Sequence, residues 1–357
     1  MNGPGARLRD LIAAVPPFDP GAAERACERQ AVLIKPPGSL GRLEELAVQV
    51  AGVTGDVAPR GDRRWLAVFA ADHGVAGEGV SAYPATVTAQ IVAALARGDA
   101  AAAVLARSVG ARLLVVDVGL ASPATPCPGV RSCRVRSGTA SFLHGPAMSR
   151  EEALAAVAIG AEAIDEAGES GLDLLALGEV GIGNTTAAAA FAAAVLGLPP
   201  KDVVGRGTGI DDAALVRKVA VVRKALQVNA VDRADPVGVL AGVGGLEIAA
   251  MVGAMLRAGG QRVPVVLDGF VVGAAALVAV VLCPNLRPFL IAGHRSPEPG
   301  HAAVLAALGL SPLFDYGMRL GEGSGAVVAL GVVGAALDLH RGMATFAEAG
   351  VDGATGR

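Results

Sequence analysis

The segment LGEGSGAVVAL, residues 320–330, places the carboxylate of Glu322 between two glycines and directly ahead of an apolar run. Burying such a charge is costly unless it is paired or solvated. A carboxylate in an apolar setting has a raised proton affinity and can act as a general base. The alternative is that Glu322 lies in the first turn of a helix and favours its dipole. These residues alone leave both interpretations open.

A glycine-rich segment, GEVGIGNTT at 178–186, precedes an alanine-rich helix pattern. Gly181 and Gly183 allow a ligand to approach the backbone closely, and Asn184 or Thr185 can cap the helix. A helix N-terminus offers N–H groups and a positive dipole end, which suits a phosphate. A tight turn between a strand and a helix is the structural alternative.

A second segment, GRGTGIDD at 205–212, repeats this design. Gly207 permits close approach, Asp211 or Asp212 can cap the next helix, and Lys218 supplies a cation if its helix faces the cleft. A lysine in solvent is the alternative for Lys218.

A pocket for an aromatic ligand is indicated by GVSAYPATVTAQ, residues 79–90. Tyr83 can form a wall against a flat ring, while Ser81 or Gln90 hydrogen-bonds a ring nitrogen. A plain helix start, with Pro84 in the first turn, explains the segment equally well.

Asp72, His73, His294 and His301 follow apolar runs and could be metal ligands or acid–base groups. However, the two later histidines are seven residues apart, which is not the spacing of a helical metal pair. We therefore favour hydrogen-bonding roles in loops. The four cysteines are scattered without ligand spacing, and we expect reduced thiols.

Short β-branched runs alternate with long helical patterns. Nearly continuous apolar runs predict strands at 65–70, 112–118, 173–178, 263–268 and 288–293. Such strands are buried on both faces, so we predict a parallel sheet flanked by helices, an α/β, doubly wound, Rossmann-like fold. Ligands then bind beyond the carboxyl ends of the strands.

The domain prediction separates a large α/β domain that carries the site from a smaller lobe built from both chain ends. The large domain spans 61–310. Residues 1–60 and 311–357 are helical in pattern and predict the small lobe.

Composition argues for a small-molecule partner. Aromatic residues make up 3% of the chain and the net charge is −3, so neither base stacking nor a basic surface for nucleic acid is indicated. The longest apolar runs, at 270–283 and 325–337, are shorter than the roughly 18 to 20 residues that a membrane span needs. The first residues lack a leader pattern, so we expect a cytoplasmic protein.

Seven segments together resemble the nicotinate-nucleotide:dimethylbenzimidazole phosphoribosyltransferase family, and they occur in order over roughly residues 30–340. These segments are KPPGSLGRLEELA, ADHGVAGEGVSAYPATVTAQ, GEVGIGNTTAAAA, GRGTGIDD, LDGFVVGAAAL, AGHRSPEPGH and LFDYGMRLGEGSGA. The resemblance implies transfer of the phosphoribosyl group of nicotinate mononucleotide to 5,6-dimethylbenzimidazole. It also implies inversion at the anomeric carbon, a homodimer, and no metal or organic cofactor.

The resemblance also implies roles for particular residues. Glu322 matches the family's catalytic base, and Glu179 lies beside the ribose. The phosphate and ribose are bound by the first glycine-rich segment and by Lys218, and the benzimidazole by the segment that holds Ser81, Tyr83 and Gln90.

Three alternatives remain beside this expectation. The first is the same chemistry with another acceptor, such as adenine, another benzimidazole or a phenolic. The second is a metal-dependent phosphohydrolase that uses the Asp72, His73, His294 and His301 side chains. The third is a non-catalytic nucleotide-binding protein.

Overall fold

The structure is a computed structural model that describes residues 4–122 and 127–352. At its centre, six parallel strands have the order β3-β2-β1-β4-β5-β6. The strands are β1 (Arg64–Ala71), β2 (Arg112–Gly119), β3 (Val130–Ser132), β4 (Leu174–Val180), β5 (Val265–Leu267) and β6 (Leu290–Ala292). This is the order of the doubly wound fold, with its switch point between β1 and β4.

In the described part of the chain the α-helices are α1 (Pro4–Ala14), α2 (Pro20–Val32), α3 (Arg42–Thr54), α4 (Val87–Arg97), α5 (Ala101–Ser108), α6 (Arg150–Glu169), α7 (Asn184–Leu196), α8 (Pro200–Val203), α9 (Asp212–Asn229), α10 (Pro236–Val243), α11 (Leu246–Gly260), α12 (Phe270–Leu282), α13 (Pro299–Leu308), α14 (Ser324–Gly342) and α15 (Phe346–Ala349). The predicted fold class and all five predicted strands are confirmed. The sequence analysis missed β3, because it has only three residues and none of them is fully buried.

Both faces of the sheet are covered, as the continuous apolar runs predicted. Alternate side chains of β1 enter two separate cores. One core takes Leu66, Val68 and Ala70 together with side chains of α3, α4, α5 and α14. The other takes Ala67, Phe69 and Ala71 together with side chains of α6, α7, α11 and α12. Polar groups are therefore confined to the ends of the strands.

The two ends of the chain contact each other beside the sheet. The Nε of Arg29 in α2 donates a 2.8 Å hydrogen bond to the carbonyl oxygen of His340 in α14. The side chains of Gln30 and His340 are also hydrogen-bonded at 2.8 Å, and Leu33 forms an antiparallel bridge with Thr345. Since α14 also packs against β4 and β5, these contacts tie α2 to the sheet.

Two helical segments, Val87–Ser108 and Ser324–Gly342, are long and apolar enough to cross a membrane by length and composition alone. The expectation from the apolar runs is confirmed for the run at 270–283, whose helix spans Phe270–Leu282, but it is wrong in length for the run at 325–337, because that helix extends beyond the run at both ends. The first segment is broken between α4 and α5. In the second, 56% of the apolar window is buried in the fold. Such segments are weak evidence for a membrane span.

Two glycines let α6 and α11 cross in very close contact. A Cβ atom added to Gly160 would lie 1.7 Å from the carbonyl oxygen of Ala250. One added to Gly253 would lie 1.8 Å from the carbonyl oxygen of Val157. Any side chain at these positions must push the two helices apart.

We therefore expect Gly253→Ala to lower the free energy of unfolding by at least about 1–3 kcal/mol, the usual cost of overpacking a core. Urea unfolding measures this change. Gly5→Ala in α1, where an added Cβ meets no atom within 4 Å, is the matched control and should change stability little. Equal effects of the two substitutions would contradict the close crossing.

Candidate active site

A cavity of about 680 Å³ opens at the carboxyl ends of the central strands. Its wall is built by the loops that follow β1, β4, β5 and β6, by the loop between α8 and α9, and by the segment ahead of α14. The predicted site residues in this wall are Tyr83, Glu179, Gly181, Asn184, Thr185, Gly207 and Glu322. The structure thus brings together residues that lie up to 239 positions apart, from Tyr83 to Glu322.

Glu322 is buried in this wall, with 7% of the residue exposed. Its backbone is left-handed, at φ of +61°, and its N–H donates to the carbonyl oxygen of Glu179 at 3.2 Å. The N–H of Ala102 approaches its Oε2 at 3.4 Å. Burial raises the pKa of Glu322, the contact with Ala102 opposes this, and the charge of Asp268 adds to it. A raised pKa makes this carboxylate a stronger base than one in solvent.

Glu179, near the end of β4, is the second buried carboxylate of the cavity. Burial raises its pKa well above the usual value, and the charges of Asp268, Glu247 and Glu322 raise it further. The side-chain amide of Asn184 donates a hydrogen bond to its Oε2 and opposes this shift.

The first turn of α7 borders the cavity at Asn184 and Thr185. The prediction that one of these two caps the helix is wrong. The N-cap is Gly183, at φ of +100°, and it has no side chain to donate or accept. Asn184 is instead the first residue of the helix, and its side-chain amide donates to Glu179, so the helix N-terminus carries no side-chain cap.

Lys218 is fully buried behind the cavity wall. Its Nζ donates to the hydroxyl of Thr185 at 2.8 Å. Burial lowers the pKa of Lys218 to about 8, and the charge of Glu298 partly offsets this. Glu298 also accepts the N–H of Gly207 at 2.8 Å, so it ties the second glycine-rich loop to the cavity. Asp211 caps the helix of Lys218, α9, as predicted.

The predicted aromatic-ligand segment only partly reaches the cavity. Tyr83 lies in the wall and more than half of it is exposed. The Ser81 hydroxyl lies 3.1 Å from that of Thr208, another wall residue. Gln90 is exposed on α4 and is not part of the wall.

The polar residues of the other strand-end loops have hydrogen-bonding roles, as we favoured from sequence. His73 Nε2 lies 2.7 Å from Glu247 Oε1, and both side chains are fully buried. His301 accepts the N–H of Ser296, and burial, followed by the charge of His294, lowers its pKa to about 4. Within residues 4–122 and 127–352, no three His, Cys, Asp or Glu side chains are grouped to hold a metal ion.

Four charged residues around the cavity were not predicted: Glu247, Asp268, Glu298 and Arg319. Asp268 and Glu298 lie in loops that follow predicted strands. This position is the feature of the sequence from which they could have been predicted as site residues. Glu247 lies in the first turn of a buried helix, where a glutamate is ordinary.

A doubly wound sheet with buried carboxylates, two glycine-rich loops and a buried lysine at one cavity defines an α/β enzyme acting on a phosphorylated small molecule. Comparison with known proteins gives the family. A family model described as phosphoribosyltransferase matches residues 15–351, and the chain belongs to this family.

The relatives are similar over nearly their whole length. The nicotinate-nucleotide–dimethylbenzimidazole phosphoribosyltransferase of Desulforudis audaxviator is 52% identical, with 96% of this chain and 98% of the relative covered. The enzyme of the same name from Pseudomonas aeruginosa is 49% identical, with 93% of this chain and 95% of the relative covered. The crystal structure of the Thermus thermophilus enzyme has a TM-score of 0.89 at 46% identity, with 94% of this chain and 100% of the Thermus chain covered. The family resemblance found in the sequence is confirmed.

The depressed pKa of Lys218 gives a prediction about stability. The folded protein releases this proton near pH 8, whereas the unfolded chain holds it until about pH 10.5, so stability rises with pH between these values. Below pH 8 the buried charge is destabilising. We expect Lys218→Met to raise the free energy of unfolding at pH 7 by about 2–3 kcal/mol and to remove this rise.

Urea unfolding of the ligand-free protein at pH 7 and pH 10 measures both effects. Lys224→Met, at an exposed position of the same helix, is the control and should change neither. A loss of stability at pH 7 in the Lys218 variant would show that the charge is well compensated in the free protein.

Proposed function

We propose that this protein transfers the phosphoribosyl group of nicotinate mononucleotide to 5,6-dimethylbenzimidazole, giving α-ribazole 5′-phosphate and nicotinate. Family membership and the names of the relatives support the reaction. The observation that carries the proposal is the position of Glu322, a buried carboxylate of raised pKa in the same cavity wall as the glycine-rich loops.

The phosphate of the nucleotide binds at the first turn of α7. This end of the helix has no side-chain cap, and its positive dipole end favours an anion. Lys218 lies behind Thr185, with Nζ already directed to the threonine hydroxyl. An anion at this position stabilises the protonated lysine, so the phosphate and the buried charge favour each other.

In the reaction, a ring nitrogen of the benzimidazole attacks the anomeric carbon of the ribose. The bond from that carbon to the nicotinate nitrogen breaks, and its electron pair returns to the pyridine ring. The second ring nitrogen becomes acidic as the new bond forms, and its proton passes to Glu322. Attack from the face opposite the leaving group converts the β-nucleotide into an α product.

Glu179 acts on the positive charge that develops on the ribose, as in other oxocarbenium-like substitutions. Burial, and then repulsion from Asp268, Glu247 and Glu322, raises the pKa of this carboxyl in the free protein. A cation in the cavity relieves that repulsion and favours the ionised form. Glu179 therefore stabilises the transition state more than it stabilises the uncharged ribose of the bound donor nucleotide.

The acceptor ring binds against Tyr83, near the hydroxyls of Ser81 and Thr208. An apolar pocket distinguishes one methyl group by only about 1–3 kcal/mol, so adenine, other benzimidazoles and phenolics are competing acceptors. We further propose that the enzyme is a cytoplasmic homodimer.

The reaction is tested by incubating the purified protein with nicotinate mononucleotide and a panel of these bases. We expect released nicotinate and an equal amount of nucleotide product, identified by mass and, through nuclear Overhauser contacts across the ribose, as the α anomer. Dimethylbenzimidazole should give the largest kcat/KM. Failure to release nicotinate with any base would refute the proposed activity.

Replacing Glu322 with Gln removes the base and keeps the shape of the side chain. We expect kcat to fall by about 10² to 10⁴-fold, the usual contribution of a general base. Binding of nicotinate mononucleotide, measured by calorimetry, should change little. Glu28→Gln on the exposed face of α2 is the control. A normal kcat in the Glu322 variant would remove this residue from the mechanism.

A further inference from the structure

The N-terminus of α14 is capped by a residue from a different part of the chain. Asp268, which follows β5, accepts backbone N–H groups from Gly325 at 2.7 Å and Ala326 at 3.0 Å on one oxygen. Its other oxygen accepts the N–H of Gly323 at 3.2 Å. A carboxylate at this end of a helix satisfies unpaired donors and favours the dipole.

The capped turn begins directly after Glu322. This residue has a left-handed backbone, which costs roughly 1–2 kcal/mol for a residue with a Cβ atom. Both of its neighbours, Gly321 and Gly323, also have positive φ. A segment of three such residues has many alternative conformations, so its position must be imposed from outside.

Asp268 is itself held in place. It is 2% exposed, and His294 Nε2 lies 3.4 Å from the oxygen that accepts two of the helix N–H groups. On its other side the helix presses on the same histidine, since a Cβ added to Gly325 would lie 2.1 Å from His294 Cδ2. His294 also stacks on Phe314, with ring centroids 6.0 Å apart. The carboxylate therefore fixes the helix end relative to the sheet.

We propose that Asp268 is a positioning residue: it anchors the first turn of α14 to the end of β5 and so holds Glu322 against the acceptor. This inference rests on the proposed function, in which Glu322 takes the proton. Asp268 acts through Glu322 and needs no contact of its own with the substrates. Both of its oxygens already accept backbone N–H groups, from Gly323, Gly325 and Ala326.

The charge of Asp268 also predicts an effect on the pH dependence of kcat/KM, which is measured separately from the fall in kcat. The other acidic and basic side chains of the cavity wall around Glu322 are Glu179, Asp268, His294, Glu298 and Arg319, and α5 contributes the N–H of Ala102. Among these, the charge of Asp268 raises the pKa of Glu322. Without this charge, Glu322 stays ionised to lower pH. The acidic limb of kcat/KM then moves to lower pH.

The test compares Asp268→Asn with the parent enzyme by nicotinate release. We expect kcat to fall about 10- to 100-fold, because small misplacements of a reacting group have effects of this size. KM for nicotinate mononucleotide should stay within about threefold, and the acidic limb of kcat/KM should move to lower pH. The matched control is Asp19→Asn, which alters a carboxylate that caps α2 at a distance from the cavity. It should leave all three quantities unchanged.

A double variant separates positioning from direct action. If Asp268 works through Glu322, then Asp268→Asn lowers kcat much less in the Glu322→Gln background than in the parent enzyme. A full additional loss there would show that Asp268 contacts the substrates and would overturn the inference. An unchanged kcat in the single variant would also overturn it.

Folding is checked by thermal unfolding of each variant. If Asp268→Asn is not recovered folded, Asp268→Ser, which keeps one capping oxygen and no charge, is measured by the same criteria. If the parent enzyme releases no nicotinate, the proposed function fails. If the parent enzyme releases nicotinate but the Asp268 variants behave like the Asp19 control, the proposed reaction stands and the positioning role fails.

Discussion

Helices cover both faces of the central sheet, and this constraint determines where chemistry can take place. The alternate side chains of β1 enter two separate apolar cores, so neither face offers a polar surface. Charged and hydrogen-bonding groups lie instead in the loops at the carboxyl ends of the strands. The cavity forms there, near the switch point between β1 and β4, where the chain's connections diverge.

The same constraint crowds negative charge into a small volume. Glu179, Glu247, Asp268 and Glu322 are all buried, and burial together with repulsion from the other three raises the pKa of Glu179. Each carboxylate has a hydrogen-bond partner that offsets part of the cost of burial. Asn184 contacts Glu179, and His73 contacts Glu247. The N-terminus of α14 contacts Asp268, and the N–H of Ala102 contacts Glu322. Under the proposed mechanism, the positive charge that develops on the ribose relieves this repulsion. Buried charges of this kind lower the stability of the folded protein, and they place charged groups in advance where the reaction needs them.

Much of the fold could be predicted because local patterns were strong. The five nearly continuous apolar runs are typical of strands buried on both faces, whereas β3 has only three residues, of which two are half-buried and one is exposed. Asn184 was expected to cap α7 because its type is typical of that position. In the structure Gly183 occupies the N-cap position with a left-handed backbone, and the side-chain amide of Asn184 donates to Glu179, five residues earlier. Gln90 lies on the exposed face of α4, and the orientation of that helix depends on packing.

The sequence by itself determined the parallel α/β class, the two glycine-rich loops and the carboxylate at 322, because each depends on residues that are near neighbours in the chain. Only the tertiary structure decided which distant groups surround that carboxylate. Asp268 reaches the first turn of α14 across more than fifty residues. Glu247 reaches His73 across 174. Proton affinity and side-chain position depend on distance in space, and the packing of helices on the sheet sets that distance.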